Sequence, residues 1–270
     1  MGKLILLSFA DSKFRPTGER LRNEAEIFGL FDSILIPSEK DFGIRYRKKY
    51  WFRLKQKGMG YWMWKSYLVK RTYESLNDDD ILFYIDAGCV LNKEGINRFR
   101  DYINEVRSSN SGILAFQMKL KERAYSKADL ISFLNLEEDE ILNSGQLYAG
   151  CFFIRKGIVG DMFVSQWFDI CHNHFDLLSD SPSRKTNDLE FVCHKFDQSV
   201  FSLLAKQYNP TIHSADETYS SDGWSKLKDY PIQARRLKVY SPAYKWIHKI
   251  SYPSRLLLDY MVKHRIVSFH

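Results

Sequence analysis

The sequence predicts an α/β fold: a mostly parallel, doubly wound sheet with helices on both faces. Short apolar runs of strand length recur at residues 4–9, 33–36, 81–85, 113–118 and 147–154. Stretches with helical spacing lie between and after them, and such alternation builds βαβ units whose crossovers cover both sides of a sheet. The run Ile81-Leu82-Phe83-Tyr84-Ile85 is apolar without alternation, as expected of a strand buried on both faces.

Taken in order, residues 4–9 form the first strand. A helix over 18–28 and a second strand over 33–36 complete a βαβ opening. Residues 45–57 then hold Arg45, Arg47, Lys48, Lys49, Arg53, Lys55 and Lys57, interleaved with Tyr46, Tyr50, Trp51 and Phe52. A helix follows over 61–76, and residues 77–80 break it before the buried strand. Between the strands at 113–118 and 147–154, residues 121–143 read as a charged, helical excursion. Helices over 160–178 and 196–208 close the pattern, and residues 179–188, rich in Ser, Asp, Pro and Asn, form a loop between them.

With 270 residues, 44% of them hydrophobic and 27% charged, the chain has the composition of a protein with one large core. Disordered and collagen-like classes are excluded. The net charge of +7 is localised: residues 232–270 carry eight Lys or Arg against Asp259 alone, so the remaining 231 residues are neutral. The division expected is therefore a main domain at 1–231 and a basic, aromatic extension at 232–270, packed on the domain or resting on an anionic membrane surface.

No apolar run approaches the roughly 20 residues of a membrane-spanning helix. Residues 4–10 lead into Asp11, Ser12 and Lys13 without a small-residue cleavage pattern, which reads as a strand rather than a leader. The expected location is cytoplasmic, peripheral on the inner membrane. Cys89, Cys151, Cys171 and Cys193 form no CxxC pair, as reduced thiols would.

Four positions suit chemistry. Asp86 follows the buried strand and precedes Ala87-Gly88, so it lies where open α/β sheets bind ligands and where a carboxylate can meet a divalent cation. Lys65 shares the inward face of its helix with Tyr61, Leu68 and Val69, and an inward ammonium near a helix N-terminus calls for an anion such as phosphate, unless it snorkels to solvent. Ser144 to Cys151 is a run of small and polar residues whose glycines admit either a ligand or a bulge. Asp197 opens the helix at 196–208, as a first-turn acid or as a carboxylate turned toward a substrate.

Together, Gly58-x-Gly60-Tyr61-Trp62-x-Trp64-Lys65, Tyr84-Ile85-Asp86-Ala87-Gly88-Cys89, Ala149-Gly150-Cys151-Phe152-x-Ile154-Arg155 and Asp197-Gln198 resemble the glycosyltransferases encoded in bacterial capsule and lipopolysaccharide clusters, over about residues 57–208. The resemblance implies a GT-A-like, Rossmann-type domain. It also implies a nucleotide-sugar donor and a saccharide acceptor, lipid-linked among the choices. Asp86 then stands at one acid of the DxD motif that holds Mn2+ or Mg2+, while Gly88 replaces the other acid. Either Asp86 holds the metal with a further ligand, His213 being one choice, or Lys65 and the 45–57 cluster neutralise the diphosphate instead. Asp197, then Asp188 or Glu190, are the expected base or sugar-positioning acids. Donor contacts fall to Lys65, Trp64, Tyr61, Gly88, Ala149, Gly150 and Gln198.

Two other classes suit parts of the sequence. A nucleotidyltransferase would use the same sheet edge. The 45–57 stretch also fits a nucleic-acid-binding module, although nucleic acid is not the expected partner.

Overall fold

The computed structural model describes residues 2–242 and 244. The strands are β1 (Leu4–Leu7), β2 (Ser33–Leu35), β3 (Ile81–Ile85), β4 (Val90–Leu91), β5 (Ile113–Lys121), β6 (Gly145–Arg155), β7 (Thr211–Ser214) and β8 (Ile232–Gln233). Six of them form one sheet in the order β2-β1-β3-β6-β5-β7. β1 runs parallel to β2 and β3, and β7 parallel to β5, while β6 is antiparallel to both neighbours. The sheet is thus mostly parallel, with β6 alone reversed.

Burial explains the strand pattern. All five residues of β3 are at most 1% exposed, because helices cover both faces. On one face Tyr84 stacks on Phe152 at 5.0 Å, under the helices Met63–Tyr73, Ile158–Asn173 and Asp197–Lys206. On the other, Phe83 stacks on Phe153 at 4.5 Å, beneath the helices Arg15–Phe28 and Ile96–Ser108. Each buried aromatic or aliphatic side chain contributes about 1.5–3 kcal/mol relative to exposure.

Two segments differ from the sequence reading. The helix expected from residue 61 starts at Met63, because Gly58, Met59, Gly60, Tyr61 and Trp62 all have positive φ, from 52° to 85°. Five such residues make one left-handed turn, which costs about 1–2 kcal/mol for each residue bearing a Cβ. The excursion at 121–143 is three short helices, Glu122–Tyr125, Ala128–Phe133 and Asp139–Asn143.

Residues 232–241 are woven into the domain. β8 pairs with β4, Leu237 N donates to Gly88 O at 2.8 Å, and Ser241 N donates to Lys13 O at 2.9 Å. The rest of the basic extension, residues 243 and 245–270, lies outside the described residues. Among the described residues no helix is long and apolar enough to cross a membrane.

Candidate active site

β1 leads to β2 on one side of the sheet and is bordered by β3 on the other, so the strand order reverses between β1 and β3. In open α/β sheets, the crevice beyond the carboxyl ends at such a switch point is where ligands bind. Asp86 stands there, one residue past β3, with its N–H donating to Gly150 O at 2.8 Å.

Asp86 is part of a three-member ionic group. Lys65 Nζ lies 2.7 Å from Asp197 Oδ2 and 3.6 Å from Asp86 Oδ1, and it donates to Ala149 O at 3.0 Å. Tyr84, two residues before Asp86 and on the same face, donates its hydroxyl to Asp86 Oδ1 at 2.8 Å. The side chains of Lys65 and Asp197 are only 4% and 10% exposed, but that of Asp86 is 41% exposed. One member of an otherwise buried ion group therefore faces solvent, and Oδ2 of that member is left for a ligand.

Burial alone would lower the Lys65 pKa, yet Asp197 and Asp86 outweigh it and the net shift is upward. Burial pushes the Asp197 carboxyl up, and the Lys65 ammonium pulls it back only in part. Lys65 is thus held charged, and Asp197 is more basic than a free aspartate. The anion that the sequence reading sought in phosphate is supplied by protein, since Lys65 meets Asp197 and Ala149 O closely and Asp86 at ion-pair distance. Lys65 positions two carboxylates.

The surrounding backbone is strained where it meets this group. Phe196, just before Asp197, has φ 57°, and its ring stacks on Trp62 of the left-handed turn at 5.9 Å. Non-glycine residues in this region persist only when their surroundings hold them, and they cluster at functional sites.

The remaining candidates take varied places. Tyr61 donates to Asp180 Oδ1 at 2.5 Å, a bond that raises its pKa to about 12. The Trp64 ring packs on Phe9 at 4.0 Å between centroids, and its Nε1 donates to Gly58 O at 3.1 Å. Gln198 donates to Gln146 Oε1 at 2.9 Å. The room at Gly88 is taken by residues 236–237, since a Cβ there would sit 3.2 Å from Arg236 Cα. At Gly150 it is taken by the Tyr148 ring, whose hydroxyl would lie 2.3 Å from a Cβ.

Asp188 and His213 are not brought to Asp86. Asp188 accepts from Arg123 Nη1 at 3.3 Å, and Glu190 pairs with Lys121 at 3.3 Å on the surface. His213 packs on Tyr102 and Phe116, on the face of the sheet opposite Lys65, and its Nε2 meets Glu105 Oε2 at 2.5 Å. The pairing of Asp86 with His213 as metal ligands therefore fails on geometry: the two strands are separated by β6 and β5, and the side chains lie on opposite faces.

Sequence reading missed Arg20, which donates to Ala87 O at 2.6 Å and Cys89 O at 2.7 Å and so fixes the loop bearing Asp86. Its partners are backbone carbonyls far along the chain, for which no local signal exists.

Two clefts open at this edge of the sheet. One of about 280 Å3, at the ends of β1 and β2, is lined by cations and acids together, Arg15, Glu19, Arg22, Lys40 and Asp41, with Ser12, beside the N-terminus of the helix Arg15–Phe28. The other, of about 600 Å3, is lined by Tyr148, Tyr219, Trp224, Arg235 and Arg236, among others.

No family model matches the chain, and no curated protein matches it. Among solved structures, the chain is similar to a glycosyltransferase involved in glycosylation of the major capsid of PBCV-1, at 10% identity and TM-score 0.46, covering 86% of this chain and 91% of that one. It is also similar to the galactosyltransferase LgtC in complex with donor and acceptor sugar analogues, at 10% identity and TM-score 0.41, covering 85% and 86%. A third is a putative glucose-1-phosphate thymidylyltransferase from Bacillus anthracis, at 10% identity and TM-score 0.38, covering 91% and 99%. Likeness this distant leaves the chain's activity to be argued from its own residues.

Proposed function

We propose that the chain is a glycosyltransferase, moving a sugar from a nucleotide-diphosphate donor to a saccharide acceptor of a cell-surface polysaccharide or lipid-linked kind. The observation that carries this reading is the half-exposed Asp86 carboxylate at the β1/β3 switch point, held by a buried ammonium. Arg15, Arg22 and Lys40, which share the cleft at the ends of β1 and β2 with Glu19 and Asp41, are the cations offered to the diphosphate. Asp86 meets the donor sugar. An acceptor hydroxyl bonds to the anomeric carbon as the bond from that carbon to the diphosphate oxygen breaks, so cationic groups on the leaving side stabilise the developing charge. Asp197, made more basic by burial although engaged by Lys65, is the acid assigned to receive the acceptor's proton.

The fold suits Mn2+ or Mg2+ at this point, but the described residues do not fit a protein-held cation. Asp86 has no second acid at Gly88, Asp197 is engaged by Lys65, and no group of three or more His, Cys, Asp or Glu gathers among the described residues. No step above relies on a metal.

A panel of nucleotide sugars, assayed with and without Mn2+ or Mg2+, tests the reading. Release of nucleoside diphosphate from at least one donor is expected, with a loss of about 10²–10³ in Asp86→Ala at unchanged fold. Full activity in that variant, or consumption of nucleoside triphosphate in place of nucleotide sugar, would overturn it, the latter in favour of nucleotidyl transfer.

A further inference from the structure

Residues 44–57 hold seven cations and no acid, and the fold sorts them by face. The short helices Ile44–Lys49 and Trp51–Leu54 turn Tyr46 and Tyr50 inward, where both are buried. Tyr46 stacks on Tyr67 at 3.7 Å and its hydroxyl meets His172 Nε2 at 3.0 Å, while Arg53 donates to His172 O at 2.6 Å. These contacts pin the segment to the domain. Its outward face carries Ile44, Trp51 and Phe52, at 62%, 55% and 80% exposure.

Around those three stand Arg45, Arg47, Lys48, Lys49, Lys55 and Lys57, all exposed. None of the six enters an ion pair among the described residues. A contiguous exposed apolar cluster rimmed by charge marks an interaction site. Large apolar tips among cations that meet no acid, Lys55 lying 4.1 Å over the Trp51 ring, on a helix pair pinned to the domain, match the boundary between lipid headgroups and acyl chains: the tips enter the apolar layer and the cations meet phosphates. A nucleic-acid groove would instead offer aromatic faces for stacking within a cleft, and aliphatic Ile44 gives a base no such face. Neither cleft described above includes any of these residues.

We propose that residues 44–57 are the surface by which this protein lies on an anionic lipid bilayer, with Ile44, Trp51 and Phe52 seated among the headgroups. The patch borders the ionic group of the candidate active site: Lys57 Nζ lies 4.5 Å over the ring of Phe196, the neighbour of Asp197. Docking there brings the crevice of Asp86 to the lipid surface, where a lipid-linked acceptor would be met. The surface contact itself stands on the patch alone, whatever reaction the crevice performs.

Co-sedimentation of the full chain with phosphatidylcholine vesicles, with and without phosphatidylglycerol, tests this. Binding is expected only with the anionic lipid, weakening as salt is raised. Trp51→Ser/Phe52→Ser and Lys48→Glu/Lys49→Glu should each weaken it at least about tenfold, with thermal melting unchanged because these side chains are exposed. Undiminished vesicle binding by both double variants would overturn the proposal, as would no vesicle binding by the parent chain. So would binding of a single-stranded oligonucleotide that the variants abolish while vesicle binding stays intact.

Discussion

One helix, Asp197–Lys206, has a buried lysine–carboxylate group at each end, and the two differ in whether a member reaches solvent. At its C-terminal end, Lys206 Nζ lies 2.7 Å from Oε1 of Glu122, a carboxylate with no exposure at all. Ser126 donates to Glu122 Oε2 at 2.7 Å, Gln146 donates to the same oxygen at 3.2 Å, and Ser202 donates to Oε1. Every oxygen is satisfied by protein, so this group can only hold structure. At the N-terminal end, Asp197 and Lys65 are equally enclosed, but their third partner, Asp86, opens to solvent. The comparison teaches that burial of charge alone does not mark a site. The mark is a buried charge network with one member left facing solvent.

Breaking the sealed group should give the largest loss of stability. Glu122→Gln takes the counter-charge from the Lys206 ammonium, leaving it only the neutral acceptors Ser144 Oγ and Gly145 O, and removal of one partner of a buried pair costs about 3–5 kcal/mol. Urea unfolding measures it, and a loss below about 1 kcal/mol would show that water reaches this end too.

Acid should act next. Burial lowers His172 to about 4 and His194 to about 3, from an ordinary value of 6.5. Both therefore contribute stability that is present above about pH 6.5 and lost as pH falls toward 4, because the unfolded chain takes up protons that the folded chain refuses. The loss amounts to roughly 2 kcal/mol for each histidine by pH 5. His172 anchors the side of the molecule bearing Tyr46, and His194 Nδ1 accepts from Lys127 N at 3.4 Å. A melting temperature that stays flat from pH 7 to pH 5 would contradict their burial as neutral rings.

The smallest effect on stability should come from the open group. Asp86→Asn leaves Lys65 paired with Asp197, and a half-exposed acid contributes about 1 kcal/mol or less. Unfolding of this variant beside Glu122→Gln gives the contrast directly: a large stability cost at one end of the helix, and at the other a cost in function with little in stability.

Much of this was legible in the sequence. The uniform apolar run of β3 placed Asp86 at a strand end, and helical spacing turned Lys65 inward. What joins Lys65 to Asp197 is tertiary packing between distant parts of the chain, so the ammonium's partner could be named as an anion but not as a carboxylate. The left-handed turn at 58–62 was not legible, since Met59, Tyr61 and Trp62 disfavour positive φ and only packing holds them there. The sealed group was hidden for a like reason: Glu122 sits in a stretch that reads as a charged, helical excursion, and nothing local shows that Lys206 and Ser202 will close over it. His213 looked usable because a sequence shows that a histidine exists, not which face of the sheet receives it.

The account rests on Asp86 as the open member of the group that receives a nucleotide donor. Thermal denaturation with UDP-, GDP-, CDP- and ADP-linked sugars, each added to the parent chain and to Asp86→Asn, tests this most directly. The account predicts that one of these donors raises the parent's melting temperature and has a much smaller effect on the variant. An equal shift in both proteins, or no shift in the parent with any of the four, would contradict it.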